Sequence, residues 1–210
     1  MEIVSNRLNE SIEAGANAVK AEIDTAAENL AQMSADAELQ ATVAAVALAC
    51  VKALRAGGRV LFCGNGGSAA DAQHLAGEFV SRFNYDRAPL AGLALTTDTS
   101  ILTAIGNDYG YEKVFERQVL GLGRPGDVLV GISTSGRSKN VLAAFAAARK
   151  VGMVTVGMTG NQREAIEQHV DHCIRIPSAS TPKIQEGHIV CGHALCGLVE
   201  LWMYPDEAPK

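Results

Sequence analysis

Apolar positions along this chain keep two rhythms. Over the first 35 or so residues they recur at steps of four and three, at Leu8, Ile12, Ala16, Val19, Ile23, Ala26, Leu30 and Met33. That stripe is of heptad type and predicts one long helix with a single apolar face. The stretch is rich in Ala, Glu and Asn, holds no proline and has only Gly15 to weaken it. Such a face either packs on its own domain or meets other subunits. The small Ala16 and Ala26 allow a close neighbour, and the oligomer is the favoured reading. A second helix is predicted over 36–56, ended by Gly57-Gly58.

After residue 59 the apolar residues come as continuous runs, at 60–63, 90–95, 128–132, 154–158 and 173–176. Unbroken runs suit strands of a parallel sheet covered on both faces, whereas alternation suits a half-wet sheet. Stretches of helical composition lie between them, at 69–83, 111–122, 139–151 and 163–170, and a last one follows at 184–203. This alternation predicts an α/β fold, a three-layer doubly wound sheet of five parallel strands. One domain over 1–210 is the economical count, with 1–56 a helical extension used in packing and oligomerisation. Ligands in such sheets sit at the carboxyl ends of the strands, and the polar sequences fall there.

The first of these ends is Gly64-Asn65-Gly66-Gly67-Ser68, leading into a helix that carries His74 and Glu78. Glycines here permit unusual backbone angles, and Ser68 stands where an N-cap hydroxyl would. A phosphate placed there would meet free N–H groups and the positive end of a helix dipole. The Rossmann spacing is not met, and no Gly-Lys-Ser/Thr follows as a P-loop needs. His74 and Glu78 are spaced i and i+4, on one helix face, as a base pair or a metal pair would be. The second end, Ser133-Thr134-Ser135-Gly136-Arg137-Ser138, offers more hydroxyls than one N-cap requires and reads as a phosphate site. The third carries Asp98-Thr99-Ser100, with Gly106-Asn107-Asp108 beyond; Asn107 and Asp108 suit either sugar hydroxyls or a turn. On the last helix Gln185 and His193 lie eight residues apart, within about a quarter turn of each other. His188 falls on another side and is read as incidental.

Composition trims the alternatives. A length of 210 residues with 48% hydrophobic content allows a full core, and a net charge of −5 argues against nucleic acid as the main partner. No apolar run approaches the roughly 20 residues a membrane helix needs, and no signal peptide is recognised. The five cysteines are odd in number and scattered in apolar runs, which fits reduced thiols in a cytoplasm. The spacing Cys191-x-His193-x-x-Cys196 matches no standard zinc module.

Taken together, Gly64-Asn65-Gly66-Gly67-Ser68, Asp71-Ala72-Gln73-His74, Gly106-Asn107-Asp108, Ser133-Thr134-Ser135-Gly136-x-Ser138 and Ile184-Gln185-Glu186 with His193 closely resemble the phosphoheptose isomerases of the sugar isomerase (SIS) superfamily. The resemblance spans about residues 40 to 200. It implies a flavodoxin-like SIS fold and a cytoplasmic homotetramer with sites between subunits. It also implies isomerisation of sedoheptulose 7-phosphate to D-glycero-D-manno-heptose 7-phosphate through an enediol, the first step of nucleotide-activated heptose biosynthesis. By matching positions, Ser68, Ser133, Thr134, Ser135 and Ser138 would hold the phosphate, and Asn65, Gly66, Gly67, Asn107 and Asp108 would line the sugar. Glu78 and His193 match the acid–base pair, and His74, Glu78, Gln185 and His193 match a zinc site. Lys183 stands where many members carry Arg, and Pro182 where some carry Asp. A rival reading is a non-catalytic SIS protein that binds a replication initiator. Such proteins resemble isomerases that have lost the catalytic set, whereas this chain has both Glu78 and His193.

Overall fold

The computed structural model describes residues 2–162 and 166–209, and only the backbone of residues 2–10. Two helices open the chain, α1 (Glu2–Ala35) and α2 (Ala37–Arg55), parted at Asp36, whose carboxylate accepts the Leu39 N–H at 2.9 Å as an N-cap. There follow β1 (Val60–Gly64), α3 (Gly67–Val80), β2 (Gly92–Ala94), α4 (Thr99–Tyr109), α5 (Val114–Leu122), β3 (Val128–Ile132), α6 (Lys139–Val151), β4 (Val154–Thr159), β5 (His172–Arg175) and α7 (Thr181–Met203). All five strands are parallel, in the order β2-β1-β3-β4-β5.

The continuous apolar runs are explained by two cores. Phe62, Val128, Val130, Val156 and Met158 face α2, α3 and α7, while Leu61, Cys63 and Leu129 face α5 and α6. This is the three-layer, doubly wound α/β fold the sequence predicts. Winding reverses between β1 and β3, so the crevice of the switch point opens at Gly64 and Ile132, which are paired in register.

Several boundaries differ from expectation. β2 is three residues long, not 90–95, because Pro89 lacks an N–H and the Leu90 N–H bonds Phe79 at the end of α3. A helix at 163–170 is replaced by a 3-10 turn at Glu167–His169, residues 163–165 lying outside the described residues. Ile166 and Val170 are drawn into the α6-side core, and Val170 is already extended. Residues Thr99–Tyr109 form α4, unassigned from sequence. Asp98 caps it by accepting the Ile101 N–H, yet none of its residues is buried. Its apolar face is short, Leu102 and Ile105 resting half-buried on the α5 and α6 side, and the surrounding Thr, Ser, Gly and Asn read as loop. The helix α2 is long and apolar enough to cross a bilayer by length and composition; here Leu39, Val43, Val46 and Cys50 pack into the core.

The α1 stripe is not covered by the chain's own domain. Ile12, Val19 and Ile23 are 60% exposed or more, while Met33 at the C-terminal end is buried; the side chain of Leu8 lies outside the described residues. Lys183 ties α1 to α7 through Glu22 and Glu186, at 3.1 and 2.8 Å. Pro182 sits in the first turn of α7, where a missing N–H costs nothing.

The helices α3 and α7 are clamped together by Glu200, which is fully buried. Its carboxylate accepts the Phe83 and Asn84 N–H groups at 2.8 and 2.6 Å and the Arg87 guanidinium at 3.1 Å. Arg87 in turn donates to the carbonyls of Glu78, Phe79 and Ser81 around the end of α3. At the middle of the contact Gly192 lets α7 approach, since a Cβ there would come within 2.7 Å of Leu75 Cδ2. His188 is not incidental to the fold. It is buried on α7, its Nε2 lies 3.2 Å from the Thr159 carbonyl, and burial pushes its pKa from 6.5 down to about 4.

Two outcomes follow. Arg87→Leu leaves the Glu200 charge buried and unpaired, and urea denaturation is expected to show a loss of about 3–5 kcal/mol. His188 stays neutral in the fold while the unfolded chain takes up a proton below its usual pKa. Its stabilisation is therefore complete above about pH 6.5 and is lost as pH falls toward 4. His188→Asn should flatten that part of the melting-temperature profile.

Candidate functional site

From Gly64 the chain turns through Asn65 and Gly66 into α3. Gly66 has φ +58°, a conformation costly for residues with a Cβ. The helix begins at Gly67 directly after it, so Gly66, not Ser68, is the capping residue; Ser68 lies inside the first turn and is buried. This corrects the expected N-cap, because the glycine turn closes one residue sooner. Among the described residues the N–H groups of Gly66 and Gly67 take no partner, and they lie just past the carboxyl end of β1.

Beside it, β3 delivers the hydroxyl loop. Ser133 is buried and its Oγ lies 2.8 Å from Ser138 Oγ, which closes the loop into the N-terminus of α6. Thr134 is half-buried and Ser135 exposed. With Arg137, Asn161, Gln162 and Thr181 they line a pocket of about 200 Å³. The N-termini of α3 and α6 thus follow two strand ends paired in register, with hydroxyl and N–H donors on both loops, an arrangement suited to an anion.

The reactive groups stand farther along α3. The helices α3 and α7 run side by side in the same direction: the Gln185 amide packs over Gly67, His193 meets His74, and Glu200 meets Phe83 and Asn84. His74 Nε2 lies 2.9 Å from His193 Nε2 and 3.3 Å from Glu78 Oε1. The donor atoms of His74, Glu78 and His193 lie within 4.8 Å of one another. Two imidazole nitrogens facing at that distance either share a proton or share a cation. Two nitrogens and one carboxylate oxygen are the donor set of many catalytic metal sites. The Phe83 ring, 5.5 Å from that of His193, covers one side.

The other expected residues are placed less simply. Gln185 stands at the glycine-loop end of the same groove, two helical turns before His193. The Asn65 side chain is engaged by Asn140 and by the Tyr111 hydroxyl. Asn107 and Asp108 are exposed on α4 and bond each other at 2.9 Å; among the described residues no hydrogen bond joins them to either loop. They are helical, not the turn residues that the sequence left as one option. Sequence reasoning missed Asn140, Tyr111, Arg87 and Glu200. A lone carboxylate in the apolar run Leu198-Val199-Glu200-Leu201-Trp202 was a signal for Glu200, whereas Asn140 looks like any residue of a first helical turn.

Comparison with known proteins agrees with this geometry. Residues 23–160 match the SIS domain family. The chain is 63% identical over 171 residues to a phosphoheptose isomerase of Burkholderia pseudomallei (strain 1710b), covering 81% of this chain and 87% of the relative. The solved phosphoheptose isomerase of Neisseria gonorrhoeae superposes with a TM-score of 0.81 at 43% identity, over 88% of this chain and 97% of that one. That of Francisella tularensis gives 0.83 at 35% identity, over 87% and 96%. With the sheet order, the two loops and these relatives in agreement, the chain belongs to the phosphoheptose isomerase family of SIS-domain proteins.

Proposed function

We propose that the protein is an aldose–ketose isomerase that converts sedoheptulose 7-phosphate to D-glycero-D-manno-heptose 7-phosphate through an enediol, the first step of nucleotide-activated heptose biosynthesis. One observation carries the reading beyond family membership: the span between cradle and reactive cluster. Seven residues of α3 separate Gly67 from His74, a rise of about 10 Å, the reach of an extended seven-carbon sugar phosphate. Ser68, Ser133, Thr134, Ser135 and Ser138 hold the phosphate, and Asn65, Gly66, Gly67, Asn107 and Asp108 line the sugar. Both loops offer neutral hydroxyl and N–H donors, and that chemistry supports these roles.

The reaction moves a proton from C1 to C2. Glu78 takes the C1 proton, leaving the enediol, and returns it to C2; His193 moves the proton between the two oxygens. Glu78 Oε1 faces His74, which orients the carboxylate and leaves its second oxygen for the carbon. The donor set of His74, Glu78 and His193 fits one divalent ion, zinc by preference, which these three would hold; Gln185, packed over Gly67 here, would have to swing along the groove to serve as a fourth ligand. When bound, zinc supplies Lewis-acid stabilisation of negative charge on the sugar oxygens.

The protein works as a homotetramer with sites between subunits. In support, the α1 stripe is exposed, and an apolar groove of about 500 Å³ opens between α1, α2 and α7, lined by Leu30, Met33, Val43, Val190 and Leu198. The five thiols are unpaired, four of them buried, which suits a reducing cytoplasm.

Incubation with sedoheptulose 7-phosphate, reading the aldose product, tests the activity; no conversion by the wild type ends the reading. Glu78→Gln is expected to lower kcat by about a hundredfold or more with KM little changed. His193→Ala should lose both activity and zinc, while unchanged rates after exhaustive chelation would remove the metal from the scheme. Sedimentation at micromolar concentration should give a tetramer, and Ile23→Glu on the α1 stripe should shift it to smaller species.

A further inference from the structure

The last ladder pair between β1 and β3 is Gly64 with Ile132. Beyond it the backbone bonds of the glycine loop are local, such as Ser68 N–H to the Asn65 carbonyl and Ala69 N–H to that of Gly66. The backbone of the hydroxyl loop bonds itself and the segment after β4, Gly136 N–H donating to the Ser133 carbonyl and Gly160 N–H to that of Thr134, but not the glycine loop. Among the described residues one side-chain pair bridges the two loops. Asn65 Nδ2 donates to Asn140 Oδ1 at 2.9 Å, and Asn140 Nδ2 donates back to Asn65 Oδ1 at 2.8 Å.

The orientation of both amides is determined by further donors. The Val141 N–H, which can only donate, lies 3.0 Å from Asn140 Oδ1 and so identifies that oxygen; the reciprocal pair then fixes Asn65 Oδ1, to which the Tyr111 hydroxyl donates at 3.2 Å. Asn140 is buried on the first turn of α6, directly after the loop that ends at Ser138. Asn65 sits between the end of β1 and the strained Gly66.

We propose that Asn140 is a positioning residue: paired with Asn65, it holds the glycine loop and the hydroxyl loop at the one spacing in which both reach the same phosphate. This rests on the phosphate-cradle reading given above. A hydrogen bond weakens steeply when its donor moves by half an ångström or turns aside. Two loops on separate strands therefore need a fixed separation if their donors are to converge on one anion without ordering at the moment of binding. Tyr111 extends the latch to the segment after α4, so the helix bearing Asn107 and Asp108 is tied to the same point.

The test uses inorganic phosphate as probe, by calorimetry, with KM, kcat and melting temperature on sedoheptulose 7-phosphate or protein alone. Wild type, Asn140→Ala, Asn65→Ala and the double variant are compared. Asn140→Ala should raise both the phosphate Kd and KM about five- to tenfold, the worth of one lost hydrogen bond in an aligned site, with kcat within about twofold. The double variant should bind phosphate no more weakly than the weaker single, because the two residues act as one device. An unchanged Kd in Asn140→Ala, or losses that multiply in the double variant, overturns the proposal. If Asn140→Ala does not fold, Asn140→Asp keeps the shape and the acceptor for Val141 while losing the donor; an unchanged phosphate Kd there overturns it equally. A wild type that binds phosphate and shows the latch effect, yet leaves sedoheptulose 7-phosphate unconverted, overturns the assigned activity and not the latch. Conversion by the wild type with Asn140→Ala unaffected overturns the latch alone.

Discussion

A carboxylate buried without solvent, that of Glu200, governs how the two functional helices meet. Unpaired, such a charge would be costly enough to be protonated or expelled. Here it is held by Arg87 and by the N–H groups of Phe83 and Asn84. Those partners lie just past the end of α3, so the charge can be satisfied only when α7 lies along α3 in one axial register. That register places His193 opposite His74 and the Gln185 amide over Gly67. A buried ion pair adds little net stability against an apolar replacement, but it penalises every other alignment. Specificity of docking is what it contributes.

The same register separates two kinds of chemistry along one groove. At the head of α3 lie neutral donors and helix N-termini, suited to an anion that must be gripped and released. Two to three turns on lie the imidazoles and the carboxylate of Glu78, suited to protons or a cation. At the anion end the hydroxyls and helix N-termini are joined by one cationic side chain, Arg137, at the rim of the hydroxyl-loop pocket. Arg87 works at the far end of α3, fixing the carbonyls of Glu78 and Phe79 and so the turn that presents the carboxylate. The Asn65–Asn140 pair does for the anion end what Glu200 does for the other: a polar contact whose main effect is spacing.

Much of this was legible from residues in order. The unbroken apolar runs marked strands covered on both faces, and the strand–helix alternation marked a doubly wound sheet, because both are local consequences of period and length. The glycine turn, the crowded hydroxyls and the i, i+4 pair of His74 and Glu78 were likewise visible, since each is a feature of one segment. The stripe on α1 could be seen but not its partner, for a helix face looks alike whether it meets its own domain or another copy. Where local signals were weak the reading failed: α4 rests only Leu102 and Ile105 half-buried on the core amid turn-forming residues, and the 163–170 segment was pulled by Ile166 and Val170 into the core.

What the tertiary structure alone decided is which distant residues touch. Nothing in sequence spacing says that His193 meets His74 across 119 positions, that Asn140 pairs with Asn65 across 75, or that Glu200 takes the N–H of Phe83 across 117. These contacts depend on the axial register of α7 on α3 and on β1 lying beside β3, quantities set by packing of whole elements. Periodicity reports which face of an element is buried, not what it is buried against. His188 makes the same point: as a letter on α7 it looked incidental, and only the sheet above it turned it into a buried, neutral imidazole on the Thr159 carbonyl.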